Sequence, residues 1–135
     1  MSEAPQGIVA TATATMGTTR YAVDLRTGHH TLTADEPKSG GGGDAGPSPF
    51  GLLLSSLAAC TAITLRMYAE RKGWPLAAIE LRLVYRWDGE TPQIERKVTL
   101  SGLDDAQRAR CAEIAEKTPV TRALKRGIDI RTTVG

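Results

Sequence analysis

The chain has 135 residues, a length that folds as one domain and buries a core without disulfide or metal staples. Its 17 basic residues nearly balance its 15 acidic residues, so net charge does not indicate a polyanionic partner such as nucleic acid. An aromatic content of 4% predicts an aliphatic core and disfavours stacking platforms. Two cysteines are too few for a secreted disulfide framework, which favours a reduced, cytoplasmic setting.

The sequence predicts neither a signal peptide nor a membrane span. The segment from Met1 to Met16 alternates small apolar residues with Thr and lacks the basic and hydrophobic regions of a signal peptide. The longest uncharged run, Phe50 to Leu65, contains Ser and Thr and is shorter than the ~20 apolar residues that a spanning helix needs. This run is therefore predicted to be a buried core helix.

Three short stretches of alternating residues precede that helix and predict a three-strand antiparallel meander. They cover Ile8 to Met16, Tyr21 to Leu25 and Thr31 to Ala34. The Gly-rich segment Lys38 to Gly46 has no periodicity and is predicted to be a flexible loop inside a single domain spanning residues 1–135. The meander has few large apolar side chains, so we expect it to be buried against a partner subunit.

The long apolar helix has clear boundaries in the sequence. Ser48 supplies a hydroxyl for the N-cap, and Pro49 suits the first helical position because its missing N–H is not needed there. Gly73 is suited to the left-handed residue that ends a helix, and Pro75 blocks continuation. The helix is therefore predicted to run from Pro49 to about Lys72.

The second half of the chain predicts a hairpin, two helices and a closing strand. Two alternating stretches, 79–87 and 94–100, surround the turn at Asp88-Gly89. A pairing of Asp104 with Gln107 resembles a capping box, which opens a helix that runs through Lys117.

A third helix restarts at Thr118-Pro119, and Ile128 to Val134 is predicted to be a strand. The order βββ-α-ββ-αα-β indicates an α+β fold in which the long helix packs on an antiparallel sheet.

Cys60 is the candidate with the most chemistry. It belongs to one predicted face of the long helix, formed by Leu53, Leu57, Cys60, Thr64 and Met67. Free Cys is most often an inert buried residue, and Cys60 lies about three turns into its helix, beyond the first turn where the helix dipole favours a thiolate. An activating cation would have to come from elsewhere in the fold.

Three other patterns are interpreted as structural, so no metal, cofactor or nucleic acid is predicted. Gly41 to Gly46 matches G-x-G-x-x-G only because it is Gly-rich, and it does not directly follow a strand. His29 and His30 are adjacent, so in a strand they would point to opposite faces. A solvated face explains the C-terminal basic residues Arg122, Lys125, Arg126 and Arg131.

Several motifs together resemble the OsmC-like branch of the OsmC/Ohr family, the osmotically induced and organic hydroperoxide resistance proteins. They are Ala34-Asp35-Glu36-Pro37, Gly46-Pro47-Ser48-Pro49, Leu52-Leu53-Leu54, Ala59-Cys60-Thr61, Arg66-Met67-Tyr68-Ala69, Arg71-Lys72-Gly73-Trp74, Gln107-Arg108, Glu113-Ile114-Ala115 and Pro119-Val120. The resemblance covers most of the chain from Gly28 onward. It implies an intertwined homodimer in which the long helices are enclosed.

The resemblance also implies a thiol-dependent peroxidase. Cys60 would attack the O–O bond of an organic hydroperoxide and become a sulfenic acid, which a second Cys resolves as a disulfide. External thiols or lipoyl-type reductants then reopen that disulfide. An Arg from the meander, here Arg20 or Arg26, would stabilise the thiolate, and a Glu at the start of the long helix would hold that Arg.

Two parts of the family's pattern are absent. Thr118 stands at the position of the usual resolving Cys, and Phe50 and Gly51 stand where the helix-start Glu would lie. Cys111 is seven residues before Thr118, a displacement of roughly 10 Å along a helix, so it is interpreted as a packing residue. Two hypotheses follow: an altered peroxidase that uses Cys60 and an external thiol, or a non-catalytic protein that binds a small apolar ligand at the dimer interface.

Overall fold

The computed structural model describes residues 7–135 and divides into two compact units, which meet in the sequence after Leu52. The elements in chain order are β1 (Thr13–Thr15), β2 (Val23–Thr27), β3 (His30–Ala34), a 3-10 turn (Lys38–Gly40), α1 (Pro49–Lys72), β4 (Ala78–Trp87), β5 (Pro92–Ser101), α2 (Asp105–Ala115) and α3 (Pro119–Arg126). This order confirms the predicted α+β fold as far as α3. The single domain stays a prediction.

The first unit contains the predicted meander, an antiparallel sheet in the order β1-β2-β3. Leu25 of β2 lies opposite Leu32 of β3, which is one of the few apolar cross-strand pairs in this sheet. The first strand is shorter than predicted because only Thr13–Thr15 lies opposite β2. Ile8 and Val9 remain 82% and 90% exposed.

The Asp35 carboxylate organises the chain after the meander. Asp35 is 3% exposed. Its Oδ1 accepts hydrogen bonds from the backbone N–H groups of Tyr21 and Glu36, and its Oδ2 accepts from those of Gly43 and Ala45. A carboxylate with this many backbone donors fixes the path of the segment that surrounds it.

The Gly-rich segment Lys38 to Gly46, predicted to be a flexible loop, follows a backbone path with its own hydrogen bonds. It begins with the 3-10 turn and folds back toward the end of the meander. Glycine is required sterically, because a Cβ on Gly42 would lie 2.2 Å from the Glu36 carbonyl oxygen and one on Gly46 would lie 1.9 Å from that of Thr33. These close approaches explain the composition that the sequence alone associated with flexibility.

The Asp35 hydrogen bonds predict that this segment loosens in acid. Backbone donors, chiefly Ala45, hold the pKa of Asp35 below its ordinary value of 3.8, against the opposing effect of burial. Because the folded-state pKa is lowered, the stabilisation is present above pH 3.8 and is lost as the pH falls through the folded-state pKa. We expect Asp35→Asn to reproduce this loss at neutral pH.

Amide hydrogen exchange of Gly43 and Ala45, measured by NMR, checks the prediction. Both amides should exchange faster in Asp35→Asn than in wild type. The control is Asp24→Asn, which changes an exposed carboxylate on β2. Unchanged protection of Gly43 and Ala45 in Asp35→Asn would contradict the prediction.

The second unit packs α1 and α2 on a two-stranded sheet. Strands β4 and β5 pair antiparallel over their whole length, with Leu81 opposite Val98. The buried core consists of Leu65, Ala69, Leu76, Leu103 and Cys111, and Trp74, Ile79, Val98, Leu100 and Ile114 pack against it. The helix boundaries agree with the sequence: Gly73 has φ of +71°, and the Asp104 and Gln107 capping box is present.

The face of α1 that this chain buries differs from the predicted one. Its fully buried residues are Leu57, Thr61, Leu65 and Ala69. Cys60 is half-buried and Met67 is 61% exposed, so beyond Leu57 the predicted face does not coincide with the face buried in this chain. The buried residues of α1 are spaced four apart and form one narrow row along the helix, whereas the predicted face alternates spacings of four and three.

Most of α1 is left uncovered by the described residues 7–135. The helix has 24 residues, and an 18-residue window with a mean hydropathy of 1.6 is only 17% buried. The structure therefore corrects the length argument made from the sequence, because by length and composition alone this helix could cross a membrane. The core helix of a soluble protein can have the same length and apolar composition.

The predicted closing strand is wrong for this chain by itself. Ile128 to Val134 pairs with no strand of the described residues 7–135. Ile128, Ile130 and Val134 are 65%, 82% and 92% exposed. A strand requires a neighbour that accepts and donates its backbone hydrogen bonds, and an apolar alternation in the sequence cannot supply one.

Candidate functional site around Cys60

Cys60 lies opposite the N-terminus of another helix. Its Sγ accepts a hydrogen bond from the backbone N–H of Val120, with a sulfur to nitrogen distance of 3.5 Å. Val120 is the second residue of α3. N–H groups in the first turn of a helix have no intrahelical acceptor and carry partial positive charge. Cys60 lies too far along α1 to contact the N–H groups at the start of its own helix, and the N-terminus of α3 supplies such a donor instead.

Thr118 has a structural role at the position where the resemblance places the resolving Cys. It is the N-cap of α3 and fully buried. Its Oγ1 accepts a hydrogen bond from the Thr121 N–H at 3.2 Å and lies 2.7 Å from the Thr121 Oγ1. The N-cap hydroxyl defines the first turn of α3 and so places the Val120 N–H next to Cys60.

A buried cation from β5 joins the helices around this contact. The Arg96 side chain is only 11% exposed. Its Nη1 donates to the Oγ1 atoms of Thr61 and Thr121, both at 2.9 Å. Its Nη2 donates to the Ala115 carbonyl oxygen at 3.0 Å and pairs with the Glu116 Oε2 at 3.3 Å. One guanidinium thus connects α1, the end of α2 and α3 to the sheet.

The partners of Arg96 are the sequence neighbours of the cysteine contact. Thr61 directly follows Cys60, and Thr121 directly follows Val120. Arg96 therefore fixes both sides of the contact between sulfur and nitrogen. Sequence reasoning missed this residue, although period two in β5 places Arg96 on the inward face together with Ile94 and Val98.

The two arginines suggested by the resemblance lie in the first unit. Arg26 is on β2, opposite Thr13 of β1 and Thr31 of β3. The Arg20 guanidinium carbon lies 5.7 Å from the centroid of the neighbouring Tyr21 ring. Both residues are exposed within their unit. The assignment of either arginine to Cys60 stays a prediction.

Cys111 lies in the core of the second unit instead of beside Cys60. It is 1% exposed and packs in the cluster of Leu65, Ala69 and Leu76. Burial raises the pKa of the Cys111 thiol, which disfavours the reactive thiolate. This environment supports the interpretation of Cys111 as a packing residue.

The histidine pair has a different geometry from the one expected. The ring centroids of His29 and His30 are 4.1 Å apart, because His29 belongs to the turn before β3 and not to the strand. Within residues 7–135, the structure describes no group of three or more His, Cys, Asp or Glu side chains that could hold a metal ion.

The fold and the site together define a class: a small α+β protein with a half-buried cysteine on its long helix, facing the N-terminus of a second helix. The family model described as OsmC-like protein matches residues 41–133. The chain therefore belongs to the OsmC/Ohr family. No curated protein matches the sequence significantly.

Solved structures of this family share the fold. An OsmC-like protein from Mycoplasma pneumoniae has 16% identity and a TM-score of 0.69, and the match covers 86% of each chain. An organic hydroperoxide resistance protein OsmC from Legionella pneumophila has 20% identity and a TM-score of 0.61, covering 87% of this chain and 90% of that one. The organic hydroperoxide resistance protein OhrB of Bacillus subtilis has 22% identity and a TM-score of 0.59, covering 90% and 94%.

The hydrogen bonds of Arg96 predict a large loss of stability in Arg96→Met. Its removal leaves the buried Ala115 carbonyl without this donor, and the hydroxyls of Thr61 and Thr121 lose theirs. We expect the free energy of unfolding to fall by about 2–4 kcal/mol. Arg96→Lys should recover only part of this, because an ammonium group cannot reproduce the planar fork.

Urea unfolding followed by circular dichroism measures the difference. Lys97→Met is the matched control, since Lys97 is the next residue of β5 and is exposed. The control should stay within about 0.5 kcal/mol of wild type. Equal losses in the free energy of unfolding for Arg96→Met and Lys97→Met would show that the buried hydrogen bonds of Arg96 do not stabilise the fold.

Proposed function

We propose that this protein reduces organic hydroperoxides through Cys60 and relies on an external thiol or lipoyl-type reductant to complete each cycle. The single observation that carries the proposal is the hydrogen bond from the Val120 N–H to the half-buried Cys60 sulfur. A backbone N–H at a helix N-terminus is a donor of the kind that hydrogen-bonds a thiolate, and the thiolate is the form of cysteine that attacks a peroxide. Proteins of similar fold from L. pneumophila and B. subtilis are named organic hydroperoxide resistance proteins, which supports an organic hydroperoxide as the substrate.

The first half of the cycle oxidises the cysteine. The Cys60 thiolate attacks one peroxide oxygen, so an S–O bond forms while the O–O bond breaks. The alkoxide leaves and takes a proton to become an alcohol, and Cys60 becomes a sulfenic acid. The peroxide is thereby reduced by two electrons and the sulfur is oxidised by two.

The second half needs a thiol from outside the chain. Thr118 occupies the position of the usual resolving Cys, and Cys111 is buried in the core. An external thiolate attacks the sulfenic sulfur and releases water, which leaves a mixed disulfide on Cys60. A second thiol group then attacks that disulfide, restores the Cys60 thiol and leaves as the oxidised reductant.

A homodimer in a cytoplasmic setting is part of this proposal. Within one chain, Ile63 and Met67 of α1 are 54% and 61% exposed, and Ile128 and Ile130 are 65% and 82% exposed. Exposed large apolar side chains of this number are costly in water and favour association. A second copy would cover α1 and give the C-terminal segment a strand to pair with.

A second candidate function is binding of a small apolar ligand without turnover. Loss of the second thiol and of the helix-start Glu favours it, and so does a cavity of about 550 Å³ whose walls include Leu57, Ile94 and Leu124. The two functions differ in their dependence on Cys60. Binding survives its substitution, and peroxide reduction does not.

The peroxidase proposal predicts that Cys60→Ser abolishes consumption of cumene hydroperoxide in the presence of dithiothreitol. Cys111→Ala should retain most of the activity, since its thiol is buried away from the proposed chemistry. Initial rates measure the loss, and wild type treated with one equivalent of peroxide and dimedone should show the adduct mass on the Cys60 peptide. Serine-variant turnover at the wild-type rate would exclude Cys60 as the nucleophile.

Because Thr118 occupies the position of the usual resolving Cys, we expect Thr118→Cys to gain the ability to form a disulfide with Cys60. A thiol at the N-cap of α3, next to the contact between Cys60 and Val120, should convert the sulfenic acid into an intramolecular disulfide. Non-reducing peptide mapping after one equivalent of peroxide should show a linked pair of peptides containing Cys60 and the new thiol, and the dimedone adduct should disappear.

Thr118→Ser is the control for this experiment, because it keeps the capping hydroxyl and adds no thiol. It should leave the dimedone adduct in place. A stable sulfenic acid in folded Thr118→Cys would contradict the placement of the resolving position.

A further inference from the structure

A cavity of about 550 Å³ lies in the second unit and is not lined by Cys60. Its apolar walls include Leu57, Tyr85, Ile94 and Leu124, and its charged residues are Arg96, Glu116 and Lys125. The volume falls within the ~300–1,000 Å³ range typical of small-molecule sites, which combine apolar walls with a few polar anchors.

The charges in this cavity are unbalanced. Glu116 is the acidic member, and its carboxylate is shared by two cations, with Oε2 facing the Arg96 guanidinium and Oε1 accepting from the Lys125 ammonium. Lys125, and to a lesser extent Arg96, lowers the pKa of Glu116, so that carboxyl is ionised at neutral pH. Two positive groups and one negative group leave the cluster with a net charge of +1.

Of the two positive groups, the Arg96 guanidinium is poorly hydrated. Arg96 is 11% exposed, whereas Glu116 is 56% and Lys125 is 64% exposed. A cation that has lost most of its water gains more from an added anion than one that remains solvated. The exposed Glu116 side chain can swing away from Arg96 and make room for such an anion.

We propose that this cavity binds a small amphipathic carboxylate, with its headgroup on Arg96 and Lys125 and its aliphatic tail against Leu57, Ile94 and Leu124. The headgroup takes the place of Glu116 in the ion pairs. The single excess positive charge matches a monocarboxylate better than a doubly charged phosphate ester. Binding does not involve Cys60 and stands apart from the proposed peroxidase activity.

Titration calorimetry with decanoate, below its micellar concentration, tests the proposal on the full chain. We expect saturation at one decanoate per chain. Lys125→Gln should weaken binding by roughly tenfold, the effect of losing one charge-assisted hydrogen bond. Glu116→Gln should strengthen binding severalfold, because it removes the competing carboxylate while keeping its size.

Arg126→Gln is the matched control, since Arg126 is the next residue of α3, carries the same charge and does not line the cavity. It should bind decanoate as wild type does. Decanol, which has the same tail and no charge, should bind more weakly and should not distinguish the variants. Circular dichroism and thermal unfolding confirm that each variant is folded.

Three results would overturn the proposal. The first is no saturable binding of decanoate by the wild-type protein, including the case in which a second copy of the chain covers the cavity. The second is equal weakening in Lys125→Gln and Arg126→Gln, which would indicate attraction by net charge alone. The third is weaker binding in Glu116→Gln. Decanoate binding that persists in Cys60→Ser keeps this inference separate from the fate of the peroxidase proposal.

Discussion

The buried guanidinium of Arg96 is the interaction on which the second unit depends. A charge removed from water is costly unless hydrogen bonds replace its hydration, and Arg96 finds them on Thr61, Thr121 and Ala115. Because these partners lie on three different helices, satisfying one side chain fixes all three relative to the sheet. The contact between Cys60 and the N-terminus of α3 follows from that arrangement. The hydrogen bond to the Cys60 sulfur therefore depends on Arg96, although Arg96 itself does not bond to that sulfur.

Thr118 begins α3 at the position where the family resemblance places a second thiol. A hydroxyl is a strong N-cap, so Thr118 maintains the first turn of α3 and with it the donor that faces Cys60. In the proposed peroxidase cycle, the absence of a thiol at position 118 leaves the oxidised Cys60 sulfur to a reductant from solution. Because Cys60 is half-buried, access to its sulfur would then govern which reductants and which peroxides react.

Much of the fold could be predicted because its boundaries are set by local chemistry. The Ser48 cap, Gly73 at the end of α1 and the Asp104 and Gln107 box are signals that each act within a few residues. The site could be predicted only in part, since Cys60 was identified but its donor comes from a segment 60 residues away. Arg96 was missed because a charged residue in an alternating strand was not assigned to the inward face, although its parity places it there.

The C-terminal segment shows the limit of pattern reasoning in another way. Ile128 and Ile130 alternate with polar residues as in a half-buried strand, yet both are largely exposed in the single chain. Periodicity records which side chains are selected for burial, but it does not say which chain buries them. Among the described residues 7–135 this segment pairs with no strand, and the apolar window of α1 is 17% buried; both features are those that the proposed homodimer would account for. The same reasoning applies to α1, since the predicted face from Cys60 to Met67 is not the face that this chain buries.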